Sequence, residues 1–154
     1  FDGNKDAERY GKGYGEGEIL EYAFRHSRLL HAAPDFYKVT GRLFVRNFDA
    51  VSERTPGSEA FRMRAPQEGR VPKTVTSFFK CSLTVFESRL LDAYRHVTDE
   101  EGHRIEQAYY HRLADLQVGG FGVKPQLVGQ SASTGKIYGE YDADVVEAAH
   151  SLLS

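Results

Sequence analysis

The stretch from about Cys81 to Val118 constrains this chain most, because it carries the longest continuous helical pattern in the 154 residues. In its first half Leu83, Phe86, Leu90, Tyr94 and Val97 recur at steps of three and four, which places them along one face of a helix. Arg89, Asp92, Arg95 and His96 fall on the other side. Thr98 followed by Glu101 has the spacing of a capping box. The spacing therefore predicts a second helix starting near Thr98, with Ile105, Ala108, Tyr109, Leu113 and Leu116 as its apolar set and Gly119-Gly120 closing it. Leu83, Phe86, Leu90, Tyr94, Ile105, Tyr109 and Leu113 are the expected core.

The segments before this scaffold read as extended. Phe36 to Phe48, Ser58 to Ala65 and Thr74 to Ser82 are rich in β-branched and aromatic residues and are broken by Gly41, Pro56-Gly57, Pro66, Gly69 and Pro72. Glu18 to Ala32 has a broad apolar face and predicts a first helix ended by Pro34. Lys136 to Tyr141 predicts a last strand. Asp144, with Glu147 three residues on, predicts a cap for a C-terminal helix. Strands in one run followed by helices in another imply an α+β fold. The expectation is a small antiparallel or mixed sheet over about 36–82, packed against a central two-helix element over about 83–117, with N- and C-terminal helices. The expected organisation is an extended Gly/Tyr-rich arm over 1–17 and a single globular domain over 18–154.

That arm drives the functional expectation. Glycines at 11, 13, 15 and 17 do not make the GxGxxG of a dinucleotide loop, and no strand precedes them. The segment has few apolar side chains to offset a backbone ordering cost of about 1–2 kcal/mol per residue. Ordering would then have to come from a partner chain, with Tyr10, Tyr14, Phe1 and Arg9 as the contacting residues. Tyrosine suits such a role, since its ring buries a large area while its hydroxyl stays bonded.

Leu43-Phe44-Val45-Arg46-Asn47-Phe48 resembles the first-strand signature of RNA recognition motif domains. That resemblance implies that Phe44 stacks on a base from an exposed sheet face. It covers six residues, and the second signature strand of that family has no counterpart: Ala60 to Arg64 comes early and lacks the glycine and second aromatic. Between Arg42 and Lys80 there are eight Lys or Arg against four Asp or Glu, a balance of +4. Arg42, Arg46, Arg62 and Arg64 could therefore contact RNA. Alternation of those charges with strand residues fits equally a solvent face that keeps sheet edges apart.

Complete catalytic motifs are missing. Gly129, Gly135 and Lys136 miss the P-loop spacing by one residue, and Ile137 replaces the required Ser or Thr. Glu100 and His103 form one ExxH unit where a di-iron bundle needs two. Glu140, Asp142, Asp144 and Glu147 suit a helix N-terminus better than a cation loop. Cys81 lies in an apolar run and reads as core. His26 and His31, five apart, fall on different helix faces. No catalytic, cofactor-binding or metal-ligating residues are assigned.

A net charge of -2 disfavours a strongly basic nucleic-acid binder, and one cysteine excludes an internal disulfide. No run approaches the ~20 apolar residues that span a bilayer. The chain begins at Phe1, which with the single cysteine fits an imported organellar protein whose leader has been removed. The expectation is a non-catalytic accessory subunit of a larger protein assembly, intracellular in a reducing compartment and mitochondrial, partnered by other protein subunits. The alternatives are an RNA-contacting protein built on the Phe36–Cys81 sheet and an enzyme with an unrecognised small-molecule pocket.

Overall fold

A computed structural model describes residues 4–130, 135 and 137–139. The fold is α+β with small antiparallel sheets. Its elements run α1 (Asn4–Tyr10), α2 (Lys12–His26), β1 (Asp35–Val39), β2 (Leu43–Val45), α3 (Phe48–Arg54), β3 (Met63–Arg64) and β4 (Lys73–Thr74). They continue through β5 (Phe78–Ser82), α4 (Leu83–Val85), α5 (Ile105–Leu113), β6 (Leu127–Gln130) and β7 (Ile137–Tyr138). The predicted terminal helix from Asp144, and the acidic group Glu140, Asp142, Asp144 and Glu147, lie outside the described residues.

Two compact units emerge: Phe1–Lys38 with Gly57–Gly120, and Val39–Pro56 with Phe121–Ser154. The first contains a core of Phe24, Phe61, Phe79, Cys81, Phe86, Leu90, Ala93, Tyr94, Val97, Ile105, Tyr109 and Leu113. Six of the seven side chains predicted to be core are buried in it, and Leu83 is half-buried at its edge. Cys81 is fully buried, as expected.

Residues 4–10 and 12–26 are helical, which corrects the extended arm expected over 1–17. The reason is geometric. In a helix, residues 13 and 17 share a face while 15 points nearly the opposite way. A Cβ on Gly13 would lie 3.1 Å from Ile105 Cγ2, and one on Gly15 would lie 2.7 Å from Ala7 Cβ. On Gly17 it would collide with Tyr94. The glycines let α2 close against α1 on one side and against the core on the other. Gly11, at φ 103°, makes the break between the two helices, with its N–H donating to Ala7 O at 3.0 Å.

The first helix also ends sooner than Pro34 suggested. Ser27 leaves the helix in an extended conformation, and its Oγ accepts from Leu30 N at 3.2 Å to start a separate 3₁₀ turn. Between Leu83 and Leu113 the scaffold is broken further than the two helices expected. A π turn spans Phe86–Leu90 and 3₁₀ turns span Ala93–His96 and Asp99–Glu101. Thr98 Oγ1 donates to Glu101 Oε2 at 3.2 Å, so that pair joins side chains instead of opening a helix. Gly102, at φ 79°, ends the turn. The helix starts at Ile105, where Gln107 Oε1 accepts from Arg104 N at 3.3 Å.

Strands from the 36–82 region do not form one sheet. The pairs β1-β5 and β3-β4 stand separately, and β2 pairs with β6 and β6 with β7. The first extended run is split by a turn in which Leu43 N donates to Thr40 O at 3.2 Å. Arg42 occupies it at φ 67°, the one non-glycine with a left-handed backbone among the described residues. In the second unit Val51, Thr55 and Leu127 are buried. Asn47 joins the end of β2 to the approach of β6: its Nδ2 donates to Lys124 O at 3.1 Å and its Oδ1 accepts from Gln126 N at 2.8 Å.

Candidate functional site: the outer face of the second helix

With one side of α2 sealed by glycines, its remaining face carries Glu18, Glu21, Tyr22, Arg25 and His26 at helical spacing. Together with Tyr94 they line a shallow depression of about 190 Å³. Glu21 sits at its floor, almost buried, and is fully bonded. Tyr94 donates its O–H to Glu21 Oε2 at 2.5 Å, Arg25 Nε donates to Oε1 at 2.9 Å, and Arg95 donates to both oxygens at 3.1 and 3.2 Å. Burial alone would raise the pKa of this carboxyl. The bonds from Tyr94, Arg25 and Arg95 outweigh it and hold the group below the usual glutamate value. Burial, then the bond to Glu21, pushes the Tyr94 hydroxyl up to about 12.

Glu18, one turn earlier, has the opposite environment. Its Oε2 is shielded from solvent and makes no hydrogen bond. Desolvation raises its pKa, with Asp6 and Glu21 adding like-charge repulsion. Two carboxyls three residues apart are thus driven in opposite directions. Such a split can mark an acid–base pair. Here Glu21 has its lone pairs committed to three donors, so it is poorly placed to accept a proton from a substrate.

Exposed apolar side chains lie on α2 and in the turn after it. Ile19 is 57% exposed, Tyr22 46% and Leu29, in the turn after α2, 87%. With His26, whose ring lies 4.3 Å from that of Tyr22, they follow one another at steps of three, four and three.

The residues expected to hold a partner through the arm are placed differently from one another. Tyr14 packs edge-on to Tyr94 at 4.9 Å and joins the chain's own core. Tyr10 lies against Tyr14 at 4.7 Å, and the exposed Arg9 guanidinium lies over the Tyr10 ring at 4.9 Å. Phe1 lies outside the described residues. The ordering of α1 and α2 is therefore accounted for within the chain, and the inference of a partner from that ordering falls away. Sequence reading passed over Ile19, Tyr22 and Leu29, although their spacing was visible, because all three were counted as inward-facing or left unassigned.

The residues of the RNA alternative divide between sheets. Arg62 precedes β3 and Arg64 lies in it, whereas Phe44 and Arg46 belong to β2 and its continuation. Phe44 pairs with Val128 across the ladder, and Gln130 pairs with Ile137. Register puts all four on one face, where Phe44 is 53% exposed and Ile137 and Gln130 are exposed as well. Arg46, two residues beyond Phe44, and Arg42 are exposed at either end of the strand. This three-stranded arrangement differs from the four-stranded sheet that the resemblance implied. Glu100 and His103 lie in exposed turns, and no group of three or more His, Cys, Asp or Glu among the described residues could hold a metal ion. No helix among the described residues is long and apolar enough to cross a membrane.

No family model, curated protein or solved structure matches the chain significantly.

Proposed function

We propose that this protein is a non-catalytic component of a larger protein assembly, docking another chain along the outer face of α2. One observation carries the reading: Ile19 and Tyr22 are exposed apolar side chains on a helix whose opposite side is committed to the core, and Leu29 is exposed in the turn that follows it. Burying such side chains is worth about 25 cal/mol per Å² of apolar area removed from water, and aromatic residues are enriched at interfaces. The reading differs from the sequence expectation in where the partner sits, on α2 and not along an extended arm. The partner is a protein subunit, and an intracellular, mitochondrial setting belongs to the same proposal. The test is native fractionation of wild type against the double variant Ile19→Ser, Leu29→Ser. Wild type should migrate in a complex and the variant should be released from it, with both equally folded by circular dichroism. A variant that stays in the complex would remove α2 as the docking face.

A second reading is favoured by a different observation, the exposed Phe44 flanked by Arg42 and Arg46. An aromatic ring on an open sheet face with cations at both ends can stack a base while the arginines neutralise phosphates. Binding to a single-stranded RNA should then weaken steeply as salt is raised, and Phe44→Ala should reduce it. Salt-insensitive binding, or none, would dismiss it.

A further inference from the structure

We infer that the exposed guanidiniums of Arg25 and Arg95 form a carboxylate-binding pair that receives an Asp or Glu side chain of the docked partner. This rests on α2 being a protein-docking face and specifies the chemistry of what docks there. Glu21 holds the pair together from the floor of the depression. Arg25 Nε donates to its Oε1 at 2.9 Å, and Arg95 Nη2 donates to its two oxygens at 3.1 and 3.2 Å. The Glu21 side chain is only 12% exposed, whereas those of Arg25 and Arg95 are 56% and 55% exposed. Two positive charges thus stand at the surface with one nearly buried negative charge between them. A guanidinium carries five N–H donors, so one carboxylate that also accepts from Tyr94 leaves donors on both arginines for a ligand.

Glu18 is the other carboxyl at the depression. The chain itself shields its Oε2 from solvent, and desolvation, followed by repulsion from Asp6 and Glu21, shifts it toward the neutral form. An incoming group therefore meets the arginines before it meets a carboxylate. A cationic side chain would face two like charges. A plain apolar one would strip water from both guanidiniums and bond neither. A carboxylate presents two oxygens to the fork of an arginine, in the bidentate geometry that makes such bonds strong. Its single charge balances the excess that Glu21 leaves, and a phosphate dianion would exceed it. Tyr22 and His26 line the same depression, and Ile19 is exposed one turn before Tyr22. Apolar residues flanking the acidic one then have rings and an aliphatic chain to rest on. The segment recognised is thus acidic and apolar in alternation, and basic segments are rejected by the pair of arginines.

Nuclear magnetic resonance titration of the full chain with N-acetyl-glutamate amide, whose side-chain carboxylate is its only charge, tests this against the uncharged isostere N-acetyl-glutamine amide at matched ionic strength. The glutamate probe should shift the side-chain N–H resonances of Arg25 and Arg95 at millimolar concentration, and the glutamine probe should not. Arg95→Gln, at an exposed position, should weaken the glutamate effect about two- to fivefold, the range for exposed ion pairs. Arg25→Gln supplies a second variant should Arg95→Gln perturb the fold. Inorganic phosphate is the third probe, and tighter binding of phosphate than of glutamate would overturn the partner's carboxylate in favour of a phosphate group. Equal response to the glutamate and glutamine probes, no response to glutamate, or full retention in both variants would likewise overturn the inference. The two readings fail separately. Ile19→Ser, Leu29→Ser should keep the glutamate response while losing the assembly, and Arg95→Gln should weaken both. If the double variant keeps its assembly and the glutamate response is intact, the docking reading fails and the carboxylate site stands. If assembly is lost but the glutamate probe is ignored by wild type, the docking face stands and the carboxylate site fails.

Discussion

Gly17 and Tyr94 lie so close that a methyl group on residue 17 would fall inside the Tyr94 side chain, 2.8 Å from its Cδ1 and nearer still to the atoms before it. This approach, with that of Gly13 to Ile105, brings α2 against the core. It also reverses the usual expectation for a glycine inside a helix.

Gly17→Ala should therefore destabilise the protein. Helix propensity alone would favour alanine by roughly 1 kcal/mol. Overpacking costs typically about 1–3 kcal/mol, and here the obstacle is the base of a buried ring, which cannot swing away. A net loss of about 1–2 kcal/mol in urea unfolding is expected from those two ranges. A rise in the unfolding midpoint would show that α2 stands away from Tyr94.

Removing residues 1–17 should lower the midpoint of the isolated chain. An independent, partner-bound arm could be cut without effect. In the structure the cut takes away Gly13 against Ile105 and Val97, the Tyr14 ring against Tyr94, and the Glu16 partner of the buried Lys38. Lys38 also donates to Thr76 O at 2.6 Å, and losing Glu16 leaves that nearly buried ammonium short of its counter-charge. Breaking one side of a buried pair typically costs about 3–5 kcal/mol. An unchanged midpoint would contradict this packing.

How much of this was legible in the sequence follows from what each signal depends on. The apolar periodicity of Phe86, Leu90, Tyr94, Ile105, Tyr109 and Leu113 found the core correctly, because burial on one face needs only spacing. It did not find where the helix breaks, because a Thr and Glu three apart can bond to each other as well as cap a helix. The glycines of α2 were read by their flexibility, when their placement at 13 and 17 also had the spacing of a face shaved for close packing. The exposed stripe on α2 was missed for a related reason: periodicity shows a helix has an apolar side, and only the position of its neighbours shows which side is covered. The pairing of β2 with β6 joins residues more than 80 apart, and no local pattern encodes such a partner.

Leu90→Ala should cost on the order of 2–5 kcal/mol, through lost burial and the cavity left behind. Leu90 is fully buried in the π turn that follows α4 and belongs to the core of the first unit. A loss below about 1 kcal/mol would place that turn outside the cooperative core.

The Glu21–Tyr94 bond should make stability fall at both ends of the pH scale. Glu21 has its folded pKa lowered, so its contribution is present above the unfolded value of about 4.5 and is lost as pH falls through the folded value. Tyr94 has its folded pKa raised, so its contribution is present below about 10 and is lost as pH climbs to about 12. Tyr94→Phe should flatten the alkaline limb relative to wild type, and Glu21→Gln the acid limb. Parallel wild-type and variant profiles would mean that neither group titrates as its surroundings require.

Arg42→Gly should separate stability from binding in the second unit. Arg42 holds φ 67° in the turn before β2, where a side chain costs about 1–2 kcal/mol that glycine avoids. Part of that gain returns to the more flexible unfolded chain, leaving a net stabilisation of roughly 0.5 kcal/mol. The strain persists where an exposed cation stands next to the exposed Phe44. If that face binds single-stranded RNA, Arg42→Gly should weaken it and make the salt dependence of binding shallower by about one phosphate contact, while the unfolding midpoint holds or rises. Stabilisation with unchanged RNA affinity would leave Arg42 a plain turn residue and take the cation away from the Phe44 face.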